Sequence, residues 1–143
     1  LKAYRNVVLP NGELRALVQD KLWQAVGLTQ GPLLIYCNHS TIAKPVYEWA
    51  RRNGLTAELV TGKTSTKDKA DIIKRFNDNQ VKVLVGTASL ATGTDGMDKV
   101  CDHLIIVDDT DDDALRRQLI GRIMPRGSAT NASAKLIRRF EFI

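Results

Sequence analysis

Short apolar runs alternate with amphipathic stretches along this 143-residue chain, and this alternation restricts the fold more than any other feature. The runs Leu33–Cys37 and Leu104–Val107 are apolar throughout, as in strands that are covered on both faces. The stretches between such runs carry apolar residues at helical spacing. Strands that alternate with helices of this length are typical of βαβ units. The sequence therefore predicts an α/β fold, a three-layer α/β/α sandwich around a mostly parallel sheet.

The predicted elements follow one another without an internal repeat or a linker. Because ligands of parallel sheets bind at the carboxyl ends of the strands, we expect function in the loops that follow the strands. The predicted order is a helix over Leu14–Val26, the strand Leu33–Cys37, a helix with Pro45 near its first turn that ends at Asn53–Gly54, the strand Ala57–Val60, a helix capped by Ser65, the strands Val81–Val85 and Leu104–Val107, a helix capped by Asp111 or Asp112, and an edge strand within Lys135–Ile143.

The charge is unevenly distributed. The chain has 21 basic and 16 acidic side chains, for a net charge of +5, but five of the acids lie between positions 108 and 113. The remaining 11 acids leave the rest of the chain at +10. A basic surface attracts polyanions such as nucleic acids, although a lysine-rich surface can also serve solubility alone.

Several classes of protein are excluded by composition. No apolar run approaches the roughly 20 residues that a membrane span needs, so we expect no membrane partner. The two cysteines, Cys37 and Cys101, cannot form the disulfide framework of a small secreted protein. Without a visible signal peptide, the expected setting is cytoplasmic or nucleoid-associated. The consecutive Cys101, Asp102 and His103 cannot easily surround a tetrahedral metal ion, and we expect no metal site.

Two segments resemble parts of a nucleotide-binding site but lack its context. Gly62–Thr64 looks like the end of a P-loop, yet that motif needs a glycine at the position of Ala57. Leu104–Val107 followed by Asp108 and Asp109 resembles a Walker B strand, whose acid would hold magnesium. Without a P-loop upstream, we interpret this segment as a buried strand followed by an acidic helix cap.

Three other segments have the chemistry of phosphate recognition. In Val83–Asp95, a strand ends in a threonine and a loop of small residues, which lets backbone amides and a hydroxyl approach a phosphate. Arg116–Gly127 contains four arginines, whose planar donors suit a γ-phosphate or, alternatively, the neighbouring aspartates. Leu34–Ser40 is a buried strand that ends in polar residues.

In this order, the three segments resemble motifs IV, V and VI of the second RecA-like lobe of superfamily 2 helicases and translocases. The resemblance covers about residues 31–127, so we predict residues 1–30 as a lead-in segment and 31–143 as a RecA-like lobe, within one domain. The residues that carry it are Asn38 and Ser40 for motif IV, Thr87, Gly93 and Asp95 for motif V, and Gln118, Gly121, Arg122 and Gly127 for motif VI.

The resemblance implies a role for each of these positions. ATP with Mg²⁺ would bind between two lobes, held mainly by a first RecA-like lobe that precedes Leu1. The isolated chain would then be inactive as an ATPase. The second arginine of motif VI would fall at Pro125, so Arg126 is the nearest substitute. The implied roles are an arginine finger for Arg122, supported by Gln118 and Arg126, contacts to ATP for Gly93, Asp95 and Arg122, and contacts to nucleic-acid phosphates for Asn38, Ser40, Thr61, Gly62, Lys63 and Thr87.

Three functions remain open from the sequence. The first is the second lobe of an ATP-dependent DNA helicase or translocase, where DNA is favoured by the style of Gln118–Arg122 and RNA is possible. The second is a non-enzymatic nucleic-acid-binding domain with a degenerate ATPase site, which the departure at Pro125 suggests. The third is an unrelated α/β enzyme that binds a small phosphorylated ligand at Thr61–Thr64.

Overall fold

A computed structural model describes residues 2–29, 31–92, 96–101, 103–123 and 136–139. For residues 2–4, 98, 122, 123 and 136–139 it describes the backbone alone. All structural statements below refer to the described residues. The elements in chain order are α1 (Lys2–Val7), α2 (Ala16–Leu28), β1 (Leu33–Cys37), α3 (Ser40–Arg52), β2 (Ala57–Val60), α4 (Thr66–Asn77), β3 (Val83–Gly86), two short 3₁₀ helices (Ala88–Ala91 and Met97–Lys99), β4 (His103–Asp108), α5 (Asp113–Ile123) and β5 (Leu136–Arg139).

The described strands form one parallel sheet in the order β2-β3-β1-β4-β5. Leu33 of β1 pairs with Val83 of β3 on one side and with His103 of β4 on the other. The carboxyl ends of β1, β2 and β3 therefore lie side by side at one edge of the sheet. The predicted parallel α/β architecture is confirmed.

Two hydrophobic clusters cover the two faces of the sheet. Side chains alternate along a strand, so Leu33 and Ile35 of β1 join the cluster that includes α2 and α3. Leu34 and Tyr36 join the opposite cluster, with α4 and part of α5. All five residues of β1 are buried, as the continuous apolar run predicts. Helices on both faces of a central sheet make the predicted three-layer sandwich.

The segment before β1 contributes to this same core. Val8 and Leu14 form an isolated antiparallel bridge, and both are buried together with Val18 and Leu22 of α2. The predicted boundary between residues 30 and 31 stays a prediction. Within the described residues, no helix has the length and apolar character that crossing a membrane requires.

Two details of the predicted helices are wrong. The first helix begins at Ala16 rather than Leu14, because Leu14 takes part in the bridge, and Leu17 is exposed. Helix α3 begins at Ser40, directly after the corner that follows β1, so Pro45 is its sixth residue and does not lie in its first turn. Pro45 has no amide to donate to the carbonyl of Thr41, a loss that a helix tolerates best near its beginning.

Candidate functional site

A groove of about 580 Å³ lies at the carboxyl edge of β1, β2 and β3. Its walls come from the three loops that follow these strands and from the first turns of α3. This is the edge at which an open parallel sheet binds its ligands. The lining residues are Asn38, Ser40, Thr41 and Lys44 after β1, Leu59, Thr61, Gly62 and Lys63 around the end of β2, and Thr87 after β3.

Hydrogen bonds hold the corner between β1 and α3. The Tyr36 hydroxyl donates to Asn38 Oδ1 over 2.9 Å, and the Asn38 amide donates to the carbonyl of Asp108 over 2.9 Å. The His39 amide donates to Asp108 Oδ2 over 2.9 Å. These bonds fix Asn38 at the groove, although its side chain is only partly buried.

Helix α3 presents the start of its dipole to the groove. His39 precedes the helix in an extended conformation, and its carbonyl accepts the amides of Ile42 and Ala43. The first amides of a helix point away from its body and carry partial positive charge. Lys44 lies one turn from Ser40 on the groove side of α3. This wall therefore combines a helix amino end with a lysine, both of which favour an anion.

The turn after β2 is closed by its own hydrogen bonds. The Thr61 amide donates to Thr64 Oγ1 over 3.0 Å, and the Lys63 amide donates to Thr61 Oγ1 over 3.2 Å. Because two of its amides are already used, this turn does not form the amide cradle that a triphosphate needs. The rejection of a P-loop at Gly62–Thr64 agrees with this geometry. Lys63 is exposed at the groove and free to meet a phosphate from outside.

Thr87 forms the third wall, between β3 and the 3₁₀ helix Ala88–Ala91. Its amide donates to the carbonyl of Val60 over 3.1 Å, and its side chain is largely buried. Lys69 of α4 donates to the carbonyls of Ser89 and Thr92, over 2.5 and 2.7 Å. This lysine fixes the loop that leads towards the predicted motif V residues.

Helix α5 carries the arginine-rich segment. The Asp112 carboxylate accepts the amides of Ala114 and Leu115 over 3.0 and 3.1 Å, so Asp112 is the cap of this helix. Arg116 pairs with Asp109 over 3.2 Å and with Asp113 over 2.6 Å, and the hydrogen bond to Asp109 is the main cause of its raised pKa. The predicted pairing of this arginine with the aspartates is confirmed.

The predicted ATP-contacting residues are only partly within the described structure. Gln118 is exposed on α5. Arg122 belongs to the same helix, but its side chain lies outside the described residues, as do Gly93, Asp95 and Arg126. Their predicted roles stay predictions.

The buried titratable groups lie in the core of the protein. Burial raises the pKa of the Cys37 thiol, and burial raises the pKa of Tyr36 to about 12. His103 Nδ1 lies 2.6 Å from Thr29 Oγ1, which itself donates to the carbonyl of Ala25. Among the described side chains, no group of three or more His, Cys, Asp or Glu is placed to hold a metal ion.

The structure brings all six predicted phosphate-contacting residues into one groove. Three other lining residues were not predicted from the sequence, namely Thr41, Lys44 and Leu59. A signal for Lys44 was present, because a residue four positions after Ser40 shares its side of a helix that starts there. That signal was lost because the helix was predicted to begin near Pro45. No sequence signal marks Leu59, because an apolar strand residue beside a groove has the same pattern as one in the core.

Comparison with known proteins decides the family. Residues 17–127 match the family model of the helicase conserved C-terminal domain. The chain belongs to this family. The matched residues cover most of the sheet, the whole groove and all of helix α5, so the predicted resemblance to a superfamily 2 helicase lobe is confirmed.

Solved structures of helicase C-terminal domains have the same fold. The chain is similar to the C-terminal domain of the DEAD-box protein Dbp5, with a TM-score of 0.69, 21% identity, and coverage of 87% of this chain and 69% of that one. It is also similar to the C-terminal part of the Fun30 ATPase domain, with a TM-score of 0.69, 15% identity, and coverage of 85% and 38%. At these identities the likeness shows the fold, which is RecA-like.

Curated relatives are longer proteins. The ATP-dependent RNA helicase DDX25 of Rattus norvegicus is 33% identical over 69 residues, or 48% of this chain. The protein of Mus musculus with the same name matches equally. The chain spans 14% of the length of each of these relatives.

Proposed function

We propose that this helicase C-terminal domain binds the phosphodiester backbone of a nucleic-acid strand in the groove and serves as the second lobe of a nucleic-acid-dependent ATPase. One observation carries the first part. The six residues that the family resemblance implies as phosphate contacts follow three different strands, yet all of them line one groove. Residues that are distant in sequence and unrelated in structural role meet there, at the edge where such sheets bind ligands.

The chemistry of the groove suits phosphate rather than a base. Its polar groups are an amide, hydroxyls and two lysines, together with the amino end of α3. Such groups bind phosphate oxygens and position a strand without reading its sequence. Aromatic stacking residues, which sequence-tolerant base binding uses, are absent from the described lining of the groove.

The ATPase part of the proposal rests on the family and on helix α5. Because the turn at Gly62–Thr64 is not a triphosphate cradle, ATP with Mg²⁺ would be bound mainly by a first RecA-like lobe, the proposed partner of this chain. Helix α5 would present Gln118 and Arg122 to the nucleotide, with Arg126 as a second cation. The guanidinium of Arg122 would then stabilise negative charge on the γ-phosphate.

Two observations bear on whether the bound strand is DNA or RNA. The motif VI sequence favours DNA and an ATP-driven translocase, whereas the curated relatives are named as RNA helicases. The groove contacts phosphates, which DNA and RNA strands both carry. Measured affinities for an oligouridylate and an oligothymidylate of equal length distinguish the two, and a ratio near one would mean that this lobe reads the backbone alone.

Strand binding is tested on the chain itself by fluorescence anisotropy with labelled ten-nucleotide strands. Lys63→Ala should weaken binding by about three- to fivefold, since an exposed charged contact contributes up to about 1 kcal/mol. Lys74→Ala is the matched control, because Lys74 is exposed on α4 and does not line the groove. Equal effects of the two substitutions would contradict the proposed site.

The arginine finger is tested in a protein that carries both lobes. Arg122→Ala should lower the strand-stimulated ATPase rate by a factor of about 10³ or more, the effect typical of such arginines, and leave strand affinity unchanged. Arg117→Ala removes an exposed arginine of the same helix and should retain most of the activity. Near-normal turnover in Arg122→Ala would refute the assigned role. A two-lobe protein that binds strands without hydrolysing ATP would instead support a non-enzymatic binding domain.

A further inference from the structure

The end of β4 lies between the groove and helix α5. The pairing of β1 with β4 is regular up to Tyr36, which pairs with Ile106, but Cys37 pairs with Asp108. Val107 is therefore an extra residue on β4, a β-bulge, and bulges reorient the side chains that follow them. Residues Asp108–Thr110, which follow this bulge, are called the acidic bridge.

On one side, the acidic bridge holds the corner of the groove. The Asp108 carbonyl accepts the Asn38 amide over 2.9 Å, and its Oδ2 lies 2.9 Å from the His39 amide and 2.8 Å from His39 Nδ1. The Asp108 side chain is 5% exposed. A buried carboxylate is costly without hydrogen-bond donors, so these contacts hold the corner before α3 to the end of β4.

On the other side, the acidic bridge holds the start of helix α5. Asp109 Oδ1 accepts Arg116 Nε over 3.2 Å and the Thr110 amide over 2.8 Å. The same guanidinium donates to the carbonyl of Thr110 over 2.6 Å. Asp108 therefore contacts the corner before α3, and Asp109 contacts helix α5.

We infer that the acidic bridge transmits occupancy of the groove to helix α5, with Asp108 and Arg116 as positioning residues. This inference rests on the proposed strand binding. A phosphate bound at Asn38 shifts the corner whose amides are bonded to Asp108. Because Arg116 is bonded to the next two residues, the start of α5 follows. The helix that moves is the one that carries Gln118 and Arg122.

A second contact between the groove and α5 makes the test specific. Helix α5 also packs against the 3₁₀ helix Ala88–Ala91, which directly follows Thr87 of the groove. Removing Arg116 breaks the side-chain hydrogen bonds between α5 and the acidic bridge and leaves this packing in place. The part of the α5 response that depends on the Arg116 hydrogen bonds is therefore the part that is lost in the Arg116 variant.

The experiment is a titration of the ¹⁵N-labelled chain with a ten-nucleotide oligouridylate and, separately, an oligothymidylate. In the unmodified chain, the amide signals of Leu119 and Ile120 should shift with the same apparent affinity as those of Asn38 and Ser40. In Arg116→Met, the groove signals should titrate within about twofold of the unmodified affinity, while the α5 shifts fall by half or more.

Controls separate the possible failures. Arg75 lies on α4, where it pairs with Glu58 and Asp71, so Arg75→Met should leave the α5 shifts unchanged. Asp109→Asn weakens the bridge while keeping the Arg116–Asp113 pair, and should act like Arg116→Met. The inference is overturned if α5 does not respond in the unmodified chain, or responds equally in Arg116→Met and Arg75→Met. If the signals of Asn38 and Ser40 do not shift, the proposed strand binding in the groove is contradicted.

Discussion

Substitution of Gly86 by alanine should destabilise the chain and displace one wall of the groove. Gly86 ends β3 directly before Thr87. A Cβ atom built there would collide with Cγ and Cδ1 of Leu90 and lie 2.8 Å from its Cδ2. Leu90 is fully buried, so its side chain has no open space to enter. Overpacking of this kind costs about 1–3 kcal/mol of unfolding free energy.

Urea unfolding followed by tryptophan fluorescence and circular dichroism measures the effect. With a slope of about 2 kcal/mol per molar urea, Gly86→Ala should lower the unfolding midpoint by about 0.5–1.5 M. Gly62→Ala is the matched control, because no atom lies within 4 Å of a Cβ at Gly62. Its midpoint should change by less than about 0.25 M, the equivalent of about 0.5 kcal/mol.

A double variant tests the cause directly. Leu90→Ala alone creates a cavity, but in Gly86→Ala/Leu90→Ala the new methyl group takes up part of the vacated space. The double variant should therefore be at least about 1 kcal/mol more stable than the sum of the two single effects predicts. Additive effects, or a Gly86→Ala midpoint equal to that of Gly62→Ala, would refute the argument that Leu90 closes this position.

Three further predictions concern stability, and urea unfolding measures each of them. Asp112→Ala should cost about 1 kcal/mol, because it removes the cap of α5, whereas Asp111→Ala should cost little; equal losses would contradict the assigned cap. Gly27→Ala should stabilise α2 by about 0.5–1 kcal/mol, since no atom lies within 4 Å of its Cβ position and glycine is a poor helix former; a loss of stability would contradict this. Burial raises the pKa of Tyr36 from 10.0 to about 12, so its contribution is complete below about pH 10 and is lost as the pH rises towards 12. The stability difference between the unmodified chain and Tyr36→Phe should shrink over this interval, and a constant difference would contradict the shift.

Much of the fold could be predicted because the strands are marked by their own residues. Leu33–Cys37 and Ala57–Val60 form strands with the predicted ends. For Leu33–Cys37 the reason is its continuous apolar run, which is typical of a strand covered on both faces. The cap at Ser65 was also predictable, because it depends on residues three apart. Helix starts were harder: Ser40 begins α3 because the corner before it is bonded to a distant strand.

The groove was predictable for a similar reason, and the acidic bridge was not. The six predicted lining residues lie at or just after the ends of strands, where the rules of parallel sheets place a binding site. The five clustered aspartates, in contrast, look alike in sequence. Asp112 caps a helix, Asp109 binds Arg116 and Asp108 binds His39, which is 69 residues away. The contact between Asp108 and His39 depends on the placement of β4 beside β1, which the local sequence does not reveal.

The salt dependence of strand binding tests the central claim most directly. The logarithm of the binding constant for a single strand falls with the logarithm of salt concentration by about 0.7 for each phosphate that the protein neutralises. If Lys44 and Lys63 each neutralise one phosphate in the groove, Lys44→Ala/Lys63→Ala should reduce the slope by about 1.4. The control Arg52→Ala/Lys74→Ala, which removes the same charge from exposed positions outside the groove, should leave the slope unchanged. An equal change of slope in the two double variants would contradict the claim that this groove binds the strand.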